Sequence, residues 1–172
     1  MKRFINAPAE LYINFDISRL HSNTDETVYL QPEKVLVRKT GNFLLASYDD
    51  EQFYTDQSIY NLYKKRNCEL DLKFCLALLN SRLLNYYFQH KMVTNPDVFP
   101  YIKGIHLKLL PFRIPSEKTR SAIHELVAEI ITTKKKSLDR DTVALERKID
   151  QHVYALYGLT PEEIKIVEDA AK

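Results

Sequence analysis

The run LDLKFCLALLNSRLLNYYFQHK, residues 70–91, is apolar almost all the way round a helix, with Asp71 placed to cap the first turn. A helix without a polar face must be covered by other layers, so this segment demands a core around it. Its polar exceptions are Asn80, Ser81, Arg82 and Asn85. Asn80 and Ser81 are suited to tie the helix to a neighbouring backbone segment while Leu79 packs.

The preceding segment supplies a sheet to pack against. Four strand-like runs, TVYLQP, KVLVRK, FLLASY and SIYNLYKK, are separated by turn residues at Gln31-Pro32, Gly41-Asn42 and Asp49-Asp50. Val35 and Val37 alternate with Leu36 and Arg38, and Phe43 and Leu45 with Leu44 and Ala46, the period-2 pattern of a hairpin turning at Thr40-Gly41-Asn42. Beyond the apolar helix, MVTNPDVFPYIKG reads as an irregular loop, and IHLKLLPFRIP as a return to strand closed by Pro111 and Pro115. Ile123, Leu126, Val127, Ile130 and Ile131, then Leu145, Ile149, Val153 and Leu156, recur at helical spacing around the polar KKKSLDRD. They predict an antiparallel helical hairpin. Gly158 is placed to close its second helix, and Thr160-Pro161-Glu162-Glu163 forms a capping box for a short terminal helix. The expected fold is α+β: a small, mainly antiparallel sheet on an apolar helix, followed by the hairpin and the terminal helix. The expected divisions are a lead-in over 1–26, a body over 27–115 and a helical part over 116–172.

Several chemistries lack their residues. With 45% apolar and 28% charged residues the composition is that of a soluble globular protein, and no run reaches membrane-spanning length, which predicts an intracellular protein without a membrane partner. Gly41, Gly104 and Gly158 are too far apart for a phosphate cradle. His21, His90, His106, His124 and His152 share no metal-ligand spacing, and Cys68 and Cys75 read as buried, reduced thiols. Asn95-Pro96-Asp97-Val98 lacks the second proline and the aromatic of an adenine-methyltransferase loop, and no acid-x-Lys triplet follows a Pro-Asp as nucleases require. Neither catalytic nor metal residues are assigned, and no cofactor is expected in this chain.

Charge points to binding. Residues 1–60 carry 6 Lys/Arg and 9 Asp/Glu, residues 61–118 carry 10 and 4, and residues 119–172 carry 9 and 10. A basic middle between near-neutral ends suits a face that follows phosphates. Arg38, Lys39, Lys64, Lys65, Arg66, Lys103 and Lys108 can neutralise phosphates, while Thr40, Asn42, Tyr54, Gln57, Tyr60 and Asn61 can hydrogen-bond to base edges or sugars. Lys134-Lys135-Lys136 ends a helix, where cations complement the macrodipole without DNA.

Three motifs carry a family resemblance: a strand running into Arg38-Lys39-Thr40-Gly41, Leu79-Asn80-Ser81 in the apolar helix, and Phe99-Pro100 followed by the Leu107–Pro111 run. Together they resemble the TaqI-like C-terminal specificity domain of type II, type IIG-like restriction-modification and adenine-specific DNA methyltransferase proteins. The tail LERKIDQHVYALYGLTPEEIKIVE resembles the close of the same large proteins. The resemblance implies a target recognition domain that reads double-stranded DNA for a methyltransferase domain, often with a nuclease domain, in the cytoplasm of a bacterium or archaeon. S-adenosylmethionine and Mg2+ then belong to the catalytic domains, and this chain is a fragment or specificity subunit without activity of its own. It also implies that Lys39 meets phosphate, that Arg38 meets phosphate or guanine, and that Gly41 lets the backbone approach the duplex; a positive φ in the turn is the structural alternative for Gly41. The rival expectation is a protein-interaction module acting through the helical hairpin.

Overall fold

The computed structural model describes residues 1–8, 12, 14–20, 24–68, 70–93 and 101–171. These residues form a four-stranded sheet and six α-helices. Strands β1 (Phe4–Ile5), β2 (Lys34–Arg38), β3 (Ala46–Asp49) and β4 (Ile59–Leu62) lie in the order β1-β3-β2-β4. The pair β2–β3 is antiparallel, as is β2–β4, while β1 runs parallel to β3. Val37 in the central strand faces Ala46 on one side and Tyr60 on the other. Val35 and Val37 enter the main core and Leu36 is buried on the opposite face, so the alternation is real but both faces are covered.

The apolar run supplies two helices. α1 (Leu72–Asn80) begins at Asp71, whose carboxylate accepts from Lys73 N and Phe74 N at 2.7 and 3.3 Å. Ser81 takes an extended conformation and breaks the helix, its hydroxyl accepting from Leu84 N at 3.2 Å to cap α2 (Arg82–Lys91). Leu72, Phe74, Leu76, Ala77, Leu78 and Leu79 are buried, which is why α1 forms the centre between the sheet and the C-terminal helices.

α4 (Glu117–Lys136) and α5 (Val143–Tyr157) form the expected hairpin, and α4 packs on α1 and β1. Ile123, Val127, Ile130, Ile149 and Val153 join the same core as the sheet. Gly158 closes α5 at φ +70°, and the Thr160–Glu163 box opens α6 (Pro161–Ala170), which packs on α2.

Four local expectations fail. TVYLQP is no strand: Asp25 accepts from Thr27 N and opens a single 3-10 turn over Glu26–Val28. FLLASY becomes strand only at Ala46; ahead of it Leu44 N donates to the Asn85 side chain on the apolar run instead of to a strand. Residues Gly104–Leu109 form a short helix, α3, where a strand was expected; His106 Nδ1 accepts from Lys103 N at 3.2 Å and closes its first turn. Short apolar runs do not separate a buried strand from a helix by period alone. Cys75 is buried, its thiol pushed up to about 12 by desolvation, but Cys68 is exposed. The Asn95–Val98 loop and Phe99-Pro100 lie outside the described residues.

Candidate nucleic-acid interface

The loop from Lys39 to Leu45 joins β2 to β3 and is built from both sides. Lys39 N donates to Ser58 O at 2.9 Å, extending the β2–β4 pairing by one residue. On the other side Ile102 N donates to Lys39 O at 2.6 Å, and Thr40 pairs with Tyr101 in an isolated antiparallel bridge. These bonds bring residues 101–104 alongside the loop. Lys39 Nζ sits 4.4 Å from the centre of the Tyr60 ring, close enough for a cation–π contact. A Cβ on Gly104 would meet the Tyr60 hydroxyl at 3.7 Å, so Tyr60 also borders the start of α3. Burial, then the neighbouring Tyr101 phenol, raises the Tyr60 phenol above its ordinary range. Lys39, Thr40, Tyr60 and Lys103 thus share one surface with Tyr101, a residue that sequence reasoning did not select. Lys108 follows on the exposed side of α3.

Arg38 turns the other way. Its guanidinium lies 4.7 Å over the Phe43 ring, and its Nη2 would be 2.7 Å from a Cβ on Gly41. Gly41 has φ +116°, a conformation that favours glycine, and the missing side chain leaves room for the arginine. Asn42 is exposed and borders a cleft of about 500 Å3, with Phe43, Arg3, Arg82, Asn85 and Tyr86 among its walls.

The remaining sequence candidates lie apart from the loop. Tyr54 Oη donates to Glu26 Oε1 at 2.7 Å, and its ring stacks on Tyr29 at 4.7 Å with Phe15 edge-on to both. Asn61 Nδ2 donates to Thr55 Oγ1 at 2.8 Å, while its Oδ1 is buried without a partner. Gln57 is exposed in the turn before β4. Lys64 Nζ is 3.7 Å from Glu33 Oε1, and Lys65 and Arg66 are exposed beyond it.

Two asparagines hold the loop's far end. Asn80, buried in the last turn of α1, donates to Ala46 O at 2.9 Å and accepts from Ala46 N at 3.0 Å, occupying both backbone groups as a neighbouring strand would. Asn85 Oδ1 accepts from Leu44 N at 2.7 Å, and its Nδ2 donates to Leu79 O and Ser81 O. The Leu79-Asn80-Ser81 motif is therefore structural. Asn85 was legible only as a polar interruption of an apolar run.

Comparison with known families settles what kind of domain this is. The model described as TaqI-like C-terminal specificity domain matches residues 1–112. The chain belongs to this family. The match takes in the whole sheet, α1, α2 and α3, and so every part of the loop just described. Among relatives of the specificity domain, a putative type II restriction enzyme and methyltransferase of Methanocaldococcus jannaschii is 27% identical over 161 residues, covering 88% of this chain and 13% of that protein. The type II methyltransferases M.HincII and M.HindII of Haemophilus influenzae are each 27% identical over 116 residues, covering 65% of this chain and 22% and 21% of theirs. The chain thus spans less than a quarter of the length of these relatives. Among the described residues no helix is long and apolar enough to cross a membrane.

Proposed function

We propose that this specificity domain reads a DNA sequence and positions the duplex for an adenine methyltransferase domain, and for a nuclease domain where the parent protein carries one. S-adenosylmethionine and Mg2+ serve those domains, and the setting is the cytoplasm of a bacterium or archaeon. The observation that carries the reading is the joining of the Lys39–Leu45 loop to residues 101–104, which gathers Lys39, Thr40, Tyr60, Tyr101 and Lys103 on one surface. Cations beside hydroxyls are residue types that respectively hold phosphates and hydrogen-bond to base edges or sugars. In this reading Lys39 and Lys103 position the backbone, Thr40 and Asn42 approach bases, and Arg38 braces the loop from its other side. Tyr54 and Asn61 shape the sheet's flank, with Gln57 and Lys64 at the periphery. The hairpin reading is less well supported, because Ile123, Val127, Ile130, Ile149 and Val153 already spend its apolar stripe on the core.

The test is a fluorescence-anisotropy titration against a randomised duplex pool at low and moderate salt, with Arg38→Ala/Lys39→Ala beside wild type. Binding that falls with salt and weakens in the variant supports the reading. A wild-type chain that binds no duplex at low salt overturns it.

A further inference from the structure

The helix that replaces the expected strand is oriented in a way the proposed reading does not use. Ile102 and Leu110, flanking α3, are buried at 0% and 6% exposure, and Leu107 packs on the core between them. The His106 ring lies 5.9 Å from that of Phe88. α3 is thus pinned at both ends and along its inner side. Its outer side leaves Ile105 53% and Leu109 61% exposed, one turn apart, with Lys108 exposed between them and Lys103 at the start. Residues 101–116 contain Lys103, Lys108 and Arg113 but no Asp or Glu, and among the described residues neither Lys103 nor Lys108 forms an ion pair.

We infer that α3 enters the major groove of the duplex, with Ile105 and Leu109 packed against thymine methyl groups and Lys103 and Lys108 on the flanking phosphates. The inference rests on the DNA-reading proposal and names the element that carries it into the groove. Three observations choose this occupant. The patch continues directly from the Thr40–Tyr101 bridge, so whatever meets the loop meets α3. Its apolar groups are interleaved with uncompensated lysines, a composition that fits a polyanion and is depleted in the cores of protein interfaces. A helix is about 10–12 Å across, which the major groove of about 12 Å admits and the minor groove of about 6 Å does not.

The experiment takes a duplex selected by the 172-residue chain and a copy with every thymine replaced by uracil, which removes only the methyl groups. Wild type is expected to bind the uracil duplex several-fold more weakly. Ile105→Ser/Leu109→Ser should bind the thymine duplex roughly tenfold more weakly than wild type, the scale of a partly buried aliphatic pair, and no longer distinguish the two duplexes. Its salt slope should be unchanged, whereas Lys103→Ala/Lys108→Ala should flatten that slope by about two phosphates' worth. Both apolar positions are more than half exposed, and the single variant Leu109→Gln gives the same readout should the double variant melt early. If the apolar variants bind like wild type while Arg38→Ala/Lys39→Ala is weakened, this inference falls and the DNA-reading proposal stands. Equal binding of the two duplexes by wild type also overturns the methyl contact. Failure of wild type to bind any duplex overturns both.

Discussion

Lys34 Nζ lies 2.6 Å from Asp49 Oδ2 across the β2–β3 pair, and both side chains are fully buried. The ammonium also donates to Tyr29 O at 3.0 Å, and the carboxylate accepts from Glu51 N and Phe53 N at 2.9 and 3.0 Å. One ion pair therefore organises the turn before β2 and the turn after β3. Lys34→Met should lose about 3–5 kcal/mol, since it strands a buried carboxylate. In urea melts, adding Asp49→Asn should return part of that loss; a double variant as unstable as the sum of the singles would refute the coupling.

Asn80→Leu should cost about 2–4 kcal/mol, because both backbone groups of Ala46 lose a buried partner. Hydrogen exchange locates the effect. The amides of Leu44 and Ala46 should exchange faster while those of β4 change little.

Asp150 on α5 is buried and accepts from Arg82 N at 2.9 Å, with the Arg82 guanidinium Nε 3.4 Å away. Desolvation outweighs these contacts and pushes its carboxyl up to about 6. A folded-state value above the unfolded one means that this group's contribution is complete below about pH 4 and is lost as pH rises through about 6. Asp150→Asn keeps an acceptor for Arg82 N without the charge. Its stability should match wild type near pH 4 and exceed it at pH 7.5 by on the order of 1–3 kcal/mol. Chemical denaturation at the two pH values checks this; an equal difference at both would rule out the titration.

Gly41→Ala should both destabilise the chain by about 1–2 kcal/mol and weaken DNA binding, since a Cβ at φ +116° is strained and collides with the Arg38 guanidinium. Gly158→Ala, at φ +70° with open space around it, should show the loss of stability alone. Thermal melts and duplex titrations of the pair separate the loop's conformation from general stability.

Features written in one residue's chemistry were readable in advance. Asp71, Gly158 and the Thr160–Glu163 box each cap a helix end, and the apolar spacing of α4 and α5 predicts their buried stripes. What escaped depends on partners distant in sequence. β1 is two residues long and exists through its pairing with Ser47 and Tyr48. The Ser81 break lies among the polar exceptions of a run whose apolar residues continue on both sides of it, and Ile105, Leu107 and Leu109 alternate with His106 and Lys108 as in a strand, over a stretch too short to show a helical period. For the candidate interface, Lys39, Thr40, Tyr60 and Lys103 were selected by type and do come together. Tyr54 and Asn61, selected on the same grounds, are engaged with Glu26 and Thr55 because residue type does not say which way a side chain turns.

Asn80 and Asn85 grip the backbone of Ala46 and Leu44, and their bonds ignore which side chains the loop carries. Between Lys39 and Phe43 the loop hangs from a frame made of helix amides on one side and the 101–102 strandlet on the other. Side-chain changes along that stretch, at positions other than Gly41, can therefore alter what the loop touches without disturbing its anchorage. Under the proposed DNA-reading function, such an arrangement would let a lineage exchange one target for another by single substitutions, each intermediate still folded.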